Sequence, residues 1–143
     1  MSLVLHRDLE LWATAWVRAR AEQIAGDTGL KVTWVSNSER PDELGGRPGA
    51  GEAHVVLRDD SGVRRDLILK DSALGVTVLG VSRRTIAPVK ALAERLVAVI
   101  EADAPLDSTT PVAHVPAVNG PYTVPGGNDE ARVYASISLT LSV

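Results

Sequence analysis

Two stretches of the chain place apolar residues at three- and four-residue steps, which predicts two amphipathic helices. The first runs from about Asp8 to Ala25 and is followed by two candidate stop signals, Gly26 and Gly29. The second runs from about Thr85 to Ala102. Each helix has a single apolar stripe, so each must bury one side against another element of the fold.

Apolar and polar residues alternate in several shorter stretches, which predicts β-strands. Glu52–Arg58 and Val63–Lys70 flank the turn sequence of residues 59–62, and this arrangement predicts a β-hairpin. Lys31–Val35 predicts a short strand before the hairpin. Gly75–Val81 predicts a strand after it, and apolar side chains on both of its faces favour a central position in the sheet.

The clearest strand pattern lies at the end of the chain, from Arg132 to Val143. Its even-numbered positions carry mostly hydroxyl groups, which is typical of a sheet with one covered and one exposed face. We expect the strand to lie under the two helices. The residues that it should bury there are Val133, Ala135, Ile137, Leu139 and Leu141, with Val143 continuing the pattern.

Two segments rich in glycine and proline interrupt these elements. Residues 36–51 contain two prolines and four glycines and predict a long loop, a feature that is usually functional or mobile. Residues 111–130 predict a proline-rich extended arm. Within the arm, Val112–Val118 is at best an edge strand, because proline cannot donate to a β-ladder. Ordering either segment requires contacts, so we expect both to touch neighbouring subunits.

This order of elements predicts an α+β fold for one domain spanning residues 1–143. The economical arrangement is a two-layer sandwich, in which two helices pack on one face of a mostly antiparallel mixed sheet. The chain is 45% apolar and 23% charged, a composition typical of one globular domain.

Composition also excludes several kinds of chemistry and several kinds of partner. The absence of cysteine excludes disulfides, thiolate catalysis and cysteine-ligated zinc. A net charge of −3 argues against non-specific nucleic-acid binding. We expect no membrane partner, because no apolar run approaches the roughly 18 residues of a span. The first residues do not have the pattern of a secretory signal.

No group of residues predicts catalysis, a cofactor or a metal site. The glycine-rich run 45–51 could cradle a phosphate, but no Lys-Ser/Thr pair follows it and Pro48 removes a donor. The three histidines, His6, His54 and His114, lie on different predicted elements without metal-ligand spacing. His54 and His114 could approach each other, but we interpret both as ordinary sheet-surface residues. We therefore expect that the protein is not an enzyme.

Four segments together resemble a known family. They are Gly75–Arg83, the Ala/Leu-rich helix to Ala102, Asn119–Tyr122 and Asp129–Tyr134. In these segments the chain resembles the tail terminator (tail completion) proteins of long-tailed bacteriophages. The resemblance implies a structural virion protein that forms a ring on the tail tube. The ring stops tube polymerisation and joins the tail to the head-neck proteins.

The resemblance also implies the partners. They are the chain itself, as a homohexamer, the tail tube protein, and a neck or head-completion protein, with DNA only as the genome passing through the lumen. The protein would be made in the host bacterial cytoplasm and reside at the head-proximal end of the virion tail. Two alternatives remain open: a neck or head-closure connector, and a cellular α+β domain that binds a ligand or acts as an enzyme.

Arginine and tyrosine are favoured anchors of protein interfaces. The side chains expected to contact other subunits are Arg47, Pro48, Tyr122, Val124, Arg132 and Tyr134.

Overall fold

A computed structural model describes residues 8–63, 66, 68–125 and 129–142, and within them the chain forms two α-helices and five β-strands. The elements are α1 (Leu9–Ala25), β1 (Lys31–Ser36), β2 (Glu52–Asp59), β3 (Leu69–Gly80), α2 (Ile86–Asp103), β4 (Val112–Thr123) and β5 (Ala131–Ser142). Single 3-10 turns occupy Asp42–Leu44, Arg83–Thr85 and Ala104–Leu106.

The strands form one mixed sheet in the order β1-β2-β3-β5-β4. β1 pairs with β2 in parallel, and the other three neighbouring pairs are antiparallel. α1 packs on β1 and β2, and α2 packs on β3, β4 and β5. Both helices share one buried apolar core with the sheet. The predicted α+β fold, with helices packed on a mixed sheet, is therefore confirmed.

Local sequence signals fix the ends of the first helix. The Asp8 carboxylate accepts a hydrogen bond from the Leu11 amide at 3.0 Å and caps the start of α1. Gly26 ends the helix with a φ of 49°, a conformation that glycine adopts without the steric penalty of a Cβ. The predicted helix and its stop are thus confirmed to within one residue.

The final strand lies where its alternating pattern predicts. Its odd-numbered side chains face the helices and are almost fully buried. The strand lies inside the sheet, between β3 and β4, rather than at its edge. These residues are Val133, Ala135, Ile137, Leu139 and Leu141. Val143, the last residue of the predicted pattern, lies outside the described residues.

The predicted hairpin is wrong in its second strand. β2 does pair with β3, but the register places Asp59 opposite Leu74, and β3 begins only at Leu69. One strand of 12 residues therefore replaces the two predicted at 63–70 and 75–81. Within residues 60–68, positions 64, 65 and 67 lie outside the described part of the chain.

The cause of this error is the polar run Lys70-Asp71-Ser72, which interrupts the hydrophobic alternation. β5 pairs with β3 along its whole length, from Leu69 opposite Ser142 to Gly80 opposite Ala131. Backbone hydrogen bonds to β5 therefore hold the polar run in a strand although its side chains do not predict one.

The proline-rich segment is an edge strand, as expected, but a longer one. β4 includes Pro116 and Pro121 and pairs with β5 through three irregularities of register. Residues 112–123 are thus held by their own sheet rather than extended as a free arm. Residues 126–128 of the predicted arm lie outside the described residues.

The long loop has a topological cause. Parallel neighbours start at the same end of a sheet, so the chain must travel back along the full strand before it can pair again. Residues 37–51, which we call the crossover, make this return with only the one 3-10 turn at Asp42–Leu44. The loop predicted at 36–51 is confirmed as irregular chain.

Half-buried Asp107 ties the segment after α2 to the first helix. One carboxylate oxygen accepts hydrogen bonds from Trp16 Nε1 at 3.0 Å and from Arg20 Nη2 at 2.9 Å. The other accepts from the amide and the hydroxyl of Thr109. The bonds from Thr109, then that from Trp16 and the charge of Arg20, lower the pKa of Asp107 to about 2.

We expect Ile137→Ala to lower the free energy of unfolding by about 2–5 kcal/mol, because it empties a fully buried site under α2. Ser138→Ala is the matched control: it alters the next residue of β5, on the opposite face, and should change stability by less than about 0.5 kcal/mol. Urea unfolding monitored by tryptophan fluorescence measures both. Equal losses would contradict the assignment of the two faces.

We expect Asp107→Asn to reduce stability at neutral pH. The folded pKa of about 2 lies below the ordinary 3.8, so this contribution is complete above pH 3.8 and lost as pH falls towards 2. Thermal unfolding from pH 7 to pH 2 should therefore show a weaker acid dependence in the variant. Asp103→Asn, which removes a nearby exposed carboxylate, is the control. An unchanged acid dependence in Asp107→Asn would contradict the prediction.

Candidate protein interface

The face of the sheet opposite the helices, which we call the outer face, carries the hydroxyl ladder predicted for the last strand. The even-numbered residues of β5 lie here, most of them half-buried, beside Ala73, Gly75 and Thr77 of β3. Its six β5 members are Arg132, Tyr134, Ser136, Ser138, Thr140 and Ser142.

At one end of the outer face, the crossover and the strands enclose a cleft of about 350 Å³, which we call the crossover cleft. Charged side chains of both signs surround it. The arginines are Arg40, Arg47 and Arg132, and the acids are Glu39, Asp42 and Glu130; His54 and Leu79 form part of the strand side.

Arg132 fastens the crossover to the sheet. Its Nη2 donates to Glu130 Oε1 at 2.8 Å and to Glu39 Oε1 in the crossover. Burial disfavours the guanidinium charge, but the hydrogen bonds to Glu130 and Glu39 outweigh it and raise the pKa of Arg132. Arg132 is therefore occupied by contacts within its own chain.

His54 is buried beneath the crossover, with only 1% of its surface exposed, so its interpretation as an ordinary surface residue is wrong. It lies beside Trp34, with 6.4 Å between the ring centroids. Nε2 has no hydrogen-bond partner among the described residues. Burial and then the charge of Arg40 lower the pKa of His54, against an opposing effect of Glu52, so the neutral imidazole predominates at pH 7.

Arg40 and Arg47 complete the cleft, and neither forms an ion pair with a carboxylate in the described part of the chain. Arg40 is half-buried and its guanidinium lies against Gly45. A Cβ on that glycine would come within 3.1 Å of Arg40 Cζ, and its φ of 116° is one that other residues rarely adopt. The glycine thus lets the guanidinium approach the backbone. Arg47 is exposed.

Two tyrosines meet on the outer face next to Arg132. Tyr122 of β4 and Tyr134 of β5 are cross-strand partners in edge-to-face contact, 5.7 Å between centroids. The Tyr134 hydroxyl donates to Asp60 Oδ2 at 2.9 Å. Burial, followed by this hydrogen bond, raises the pKa of Tyr134. Tyr122 remains 44% exposed.

The structure places four of the six side chains proposed as subunit contacts in two pairs. Arg47 and Arg132 line the same cleft, and Tyr122 touches Tyr134. Pro48 is buried in its own chain, and Val124 is half-buried with its amide donating to the Arg132 carbonyl at 2.9 Å. Sequence reasoning missed Glu39, Arg40 and His54 as members of this site. The first two belong to the crossover and the third to β2, and they come together only because the crossover folds over the sheet.

The described residues of both glycine- and proline-rich segments are held by contacts within their own chain. The crossover is bonded to Arg132, and residues 112–123 pair with β5. Their order therefore does not by itself require a neighbouring subunit. Any role in assembly must come from the side chains that they leave exposed.

The two strand histidines do not share a site. His114 lies with Pro116 and Ser61 in a separate groove of about 640 Å³, which His54 does not line. In residues 8–63, 66, 68–125 and 129–142, no group of three or more histidines and acids is placed to hold a metal ion.

No protein-family model matches the chain, and the comparison with curated proteins finds no match either. Among the described residues, neither helix is long and apolar enough to cross a membrane. The outer face carries two distinct features. One is a cleft lined by arginines and a histidine, and the other is a pair of contacting tyrosines. No helix covers this face in the described part of the chain.

We expect Arg40→Gln to raise the pKa of His54, because the Arg40 charge is one cause of its lowering. Titration of the imidazole by NMR measures the change. Arg84→Gln removes an exposed arginine that does not line the cleft, and it should leave the pKa of His54 unchanged. Equal values in Arg40→Gln and the unaltered chain would contradict the electrostatic contact.

Proposed function

We propose that this chain is a structural subunit of a homohexameric ring, of the tail terminator kind, at the head-proximal end of a phage tail. In the virion the ring caps the tail tube, stops its polymerisation and offers a surface to a neck or head-completion protein. The observation that carries this proposal is the outer face, where no helix covers the contacting pair Tyr122 and Tyr134, and where Arg47 lines the crossover cleft.

The chemistry of this face supports a protein partner. Tyrosine and arginine are enriched at the centres of protein interfaces, where aromatic rings supply contact area at a low cost in side-chain entropy. The neighbouring hydroxyl groups on β5 can be covered without a large desolvation penalty if they remain hydrogen-bonded.

A second surface supports a ring rather than a two-fold dimer. Glu10 of α1 accepts from the Asp59 amide at 2.8 Å, so α1 begins at the end of the sheet where β2 stops. The chain after α2 leads to the same end of the sheet, because β4 starts there, opposite the finish of β5. Four exposed apolar side chains lie in the elements and connections at this end of the sheet, which we call the apolar end: Leu11, Val63, Ile68 and Leu106.

The apolar end and the tyrosine pair are different surfaces, at opposite ends of β5. Tyr122 pairs with Tyr134 near the start of β5, whereas the apolar end surrounds the finish of that strand. A closed ring needs such unlike patches, because each subunit presents one patch to the next and the other to the previous subunit. We infer that the apolar end of one copy meets the tyrosine side of its neighbour.

A neck or head-closure connector would use the same ring geometry, and only its binding partner differs. The other alternative, a ligand-binding or enzymatic α+β domain, draws support from the crossover cleft and its unpartnered His54.

The mass of the purified chain in solution tests the ring. We expect six times the 15.1 kDa chain mass by light scattering or native mass spectrometry. Tyr122→Ala and Leu106→Ser should each give smaller species, since each removes one of the two patches. Glu94→Ala, on the exposed side of α2, is the control and should keep the full mass.

Mixing the two variants sharpens the test. Tyr122→Ala retains the apolar end and Leu106→Ser retains the tyrosine side, so one intact contact can form and a heterodimer should appear without a ring. A wild-type chain that stays monomeric alone and with the tube protein would overturn the ring proposal.

Polymerisation of the tail tube protein separates a terminator from a connector. The chain added to growing tubes should shorten them and appear as a ring at one end in electron micrographs. Unchanged tube lengths with a ring of the expected mass would favour the connector.

A further inference from the structure

We propose that the crossover cleft is a carboxylate-binding site, in which the guanidinium groups of Arg40 and Arg47 and Nε2 of His54 hold the ligand. This site is formed within one chain and would exist in a single copy, whether or not the ring forms.

The unpartnered His54 is the first observation behind this proposal. Its side chain is 99% buried by the sheet and the crossover, it lines the cleft, and Nε2 lacks a partner among the described residues. A buried polar atom without a hydrogen bond is costly, so such atoms normally find a partner in protein, water or ligand. Nε2 is itself covered in this structure, so an anion entering the cleft would have to displace neighbouring atoms to accept a hydrogen bond from the tautomer protonated there.

The two arginines are the second observation. Arg132 is neutralised by Glu39 and Glu130, whereas Arg40 and Arg47 face the same cleft without an ion-pair partner among the described residues. Gly45 allows the Arg40 guanidinium to pack on the backbone, which limits its freedom before any ligand arrives. A donor group already held in place loses less entropy on binding.

The charges around the cleft select the class of anion. Three arginines are balanced by Glu39, Asp42 and Glu130, so with His54 neutral the lining has no net charge. The carboxylates that line the cleft would repel a doubly charged phosphate more strongly than a singly charged ligand. A planar carboxylate also matches the fork of a guanidinium group and can accept two parallel hydrogen bonds.

The volume admits a small ligand. About 350 Å³ accommodates an acetate-sized anion, or one acidic side chain of a protein, together with several waters at roughly 30 Å³ each. The recognised chemistry is thus one carboxylate, delivered either by a free small molecule or by a polypeptide.

NMR of the imidazole resonances tests the proposal on the intact chain at pH 7.5. The His54 signal is assigned by elimination with His6→Gln and His114→Gln, so the buried residue itself stays unaltered. Sodium acetate should shift this signal to saturation, whereas sodium chloride at the same ionic strength should not. Arg40→Gln and Arg47→Gln should each weaken acetate binding by ~10-fold or more. Arg84→Gln should leave it unchanged.

A blocked Gly-Glu-Gly peptide separates the two sources of carboxylate. Tighter binding of the peptide than of acetate assigns the site to a protein side chain, and equal or weaker binding assigns it to a small molecule; both support the proposal. An equal response to chloride, tighter binding of inorganic phosphate than of acetate, or unaltered affinity in Arg40→Gln would overturn it.

Discussion

The parallel pairing of β1 with β2 is the constraint from which the outer face of the sheet follows. Two parallel neighbours cannot be joined by a tight turn, so 15 residues, 37–51, return along the sheet. The helices already occupy one face, and the crossover takes the other. It buries His54 and brings Arg40 and Arg47 to the same cleft. The long loop is thus both a topological necessity and the wall of the candidate site.

Two groups of charged contacts secure this arrangement, one on each side of the sheet. On the helix side, Asp107 joins α1 to the segment that leads into β4. On the outer side, Arg132 joins the crossover to β5 through Glu39 and Glu130. Both contacts link parts of the chain about 90 residues apart in sequence. Each also uses charge to position irregular backbone that has little apolar surface of its own.

Local periodicity predicted the helices and β5, because the apolar stripes of α1 and α2 and the alternation from Val133 to Leu141 each lie within one element. Local periodicity failed where a neighbouring strand determines the secondary structure or the direction of pairing. The polar run at residues 70–72 is a strand only because β5 runs beside it, and no pattern within β1 or β2 indicates that they are parallel. The cleft was therefore beyond prediction: Glu39 and Arg132 are 93 positions apart, and only the crossover makes them neighbours.

The prolines of β4 have a consequence for the behaviour of many copies at high concentration. β4 forms one border of the sheet, and such borders are templates on which further strands can add and aggregate. Pro116 and Pro121 have no amide hydrogen, and the register shifts distort the regular row of donors and acceptors. A foreign strand laid along this border would find missing donors. Any association along this border would therefore depend on side chains, whose shapes discriminate between partners, rather than on backbone, which pairs with any extended chain.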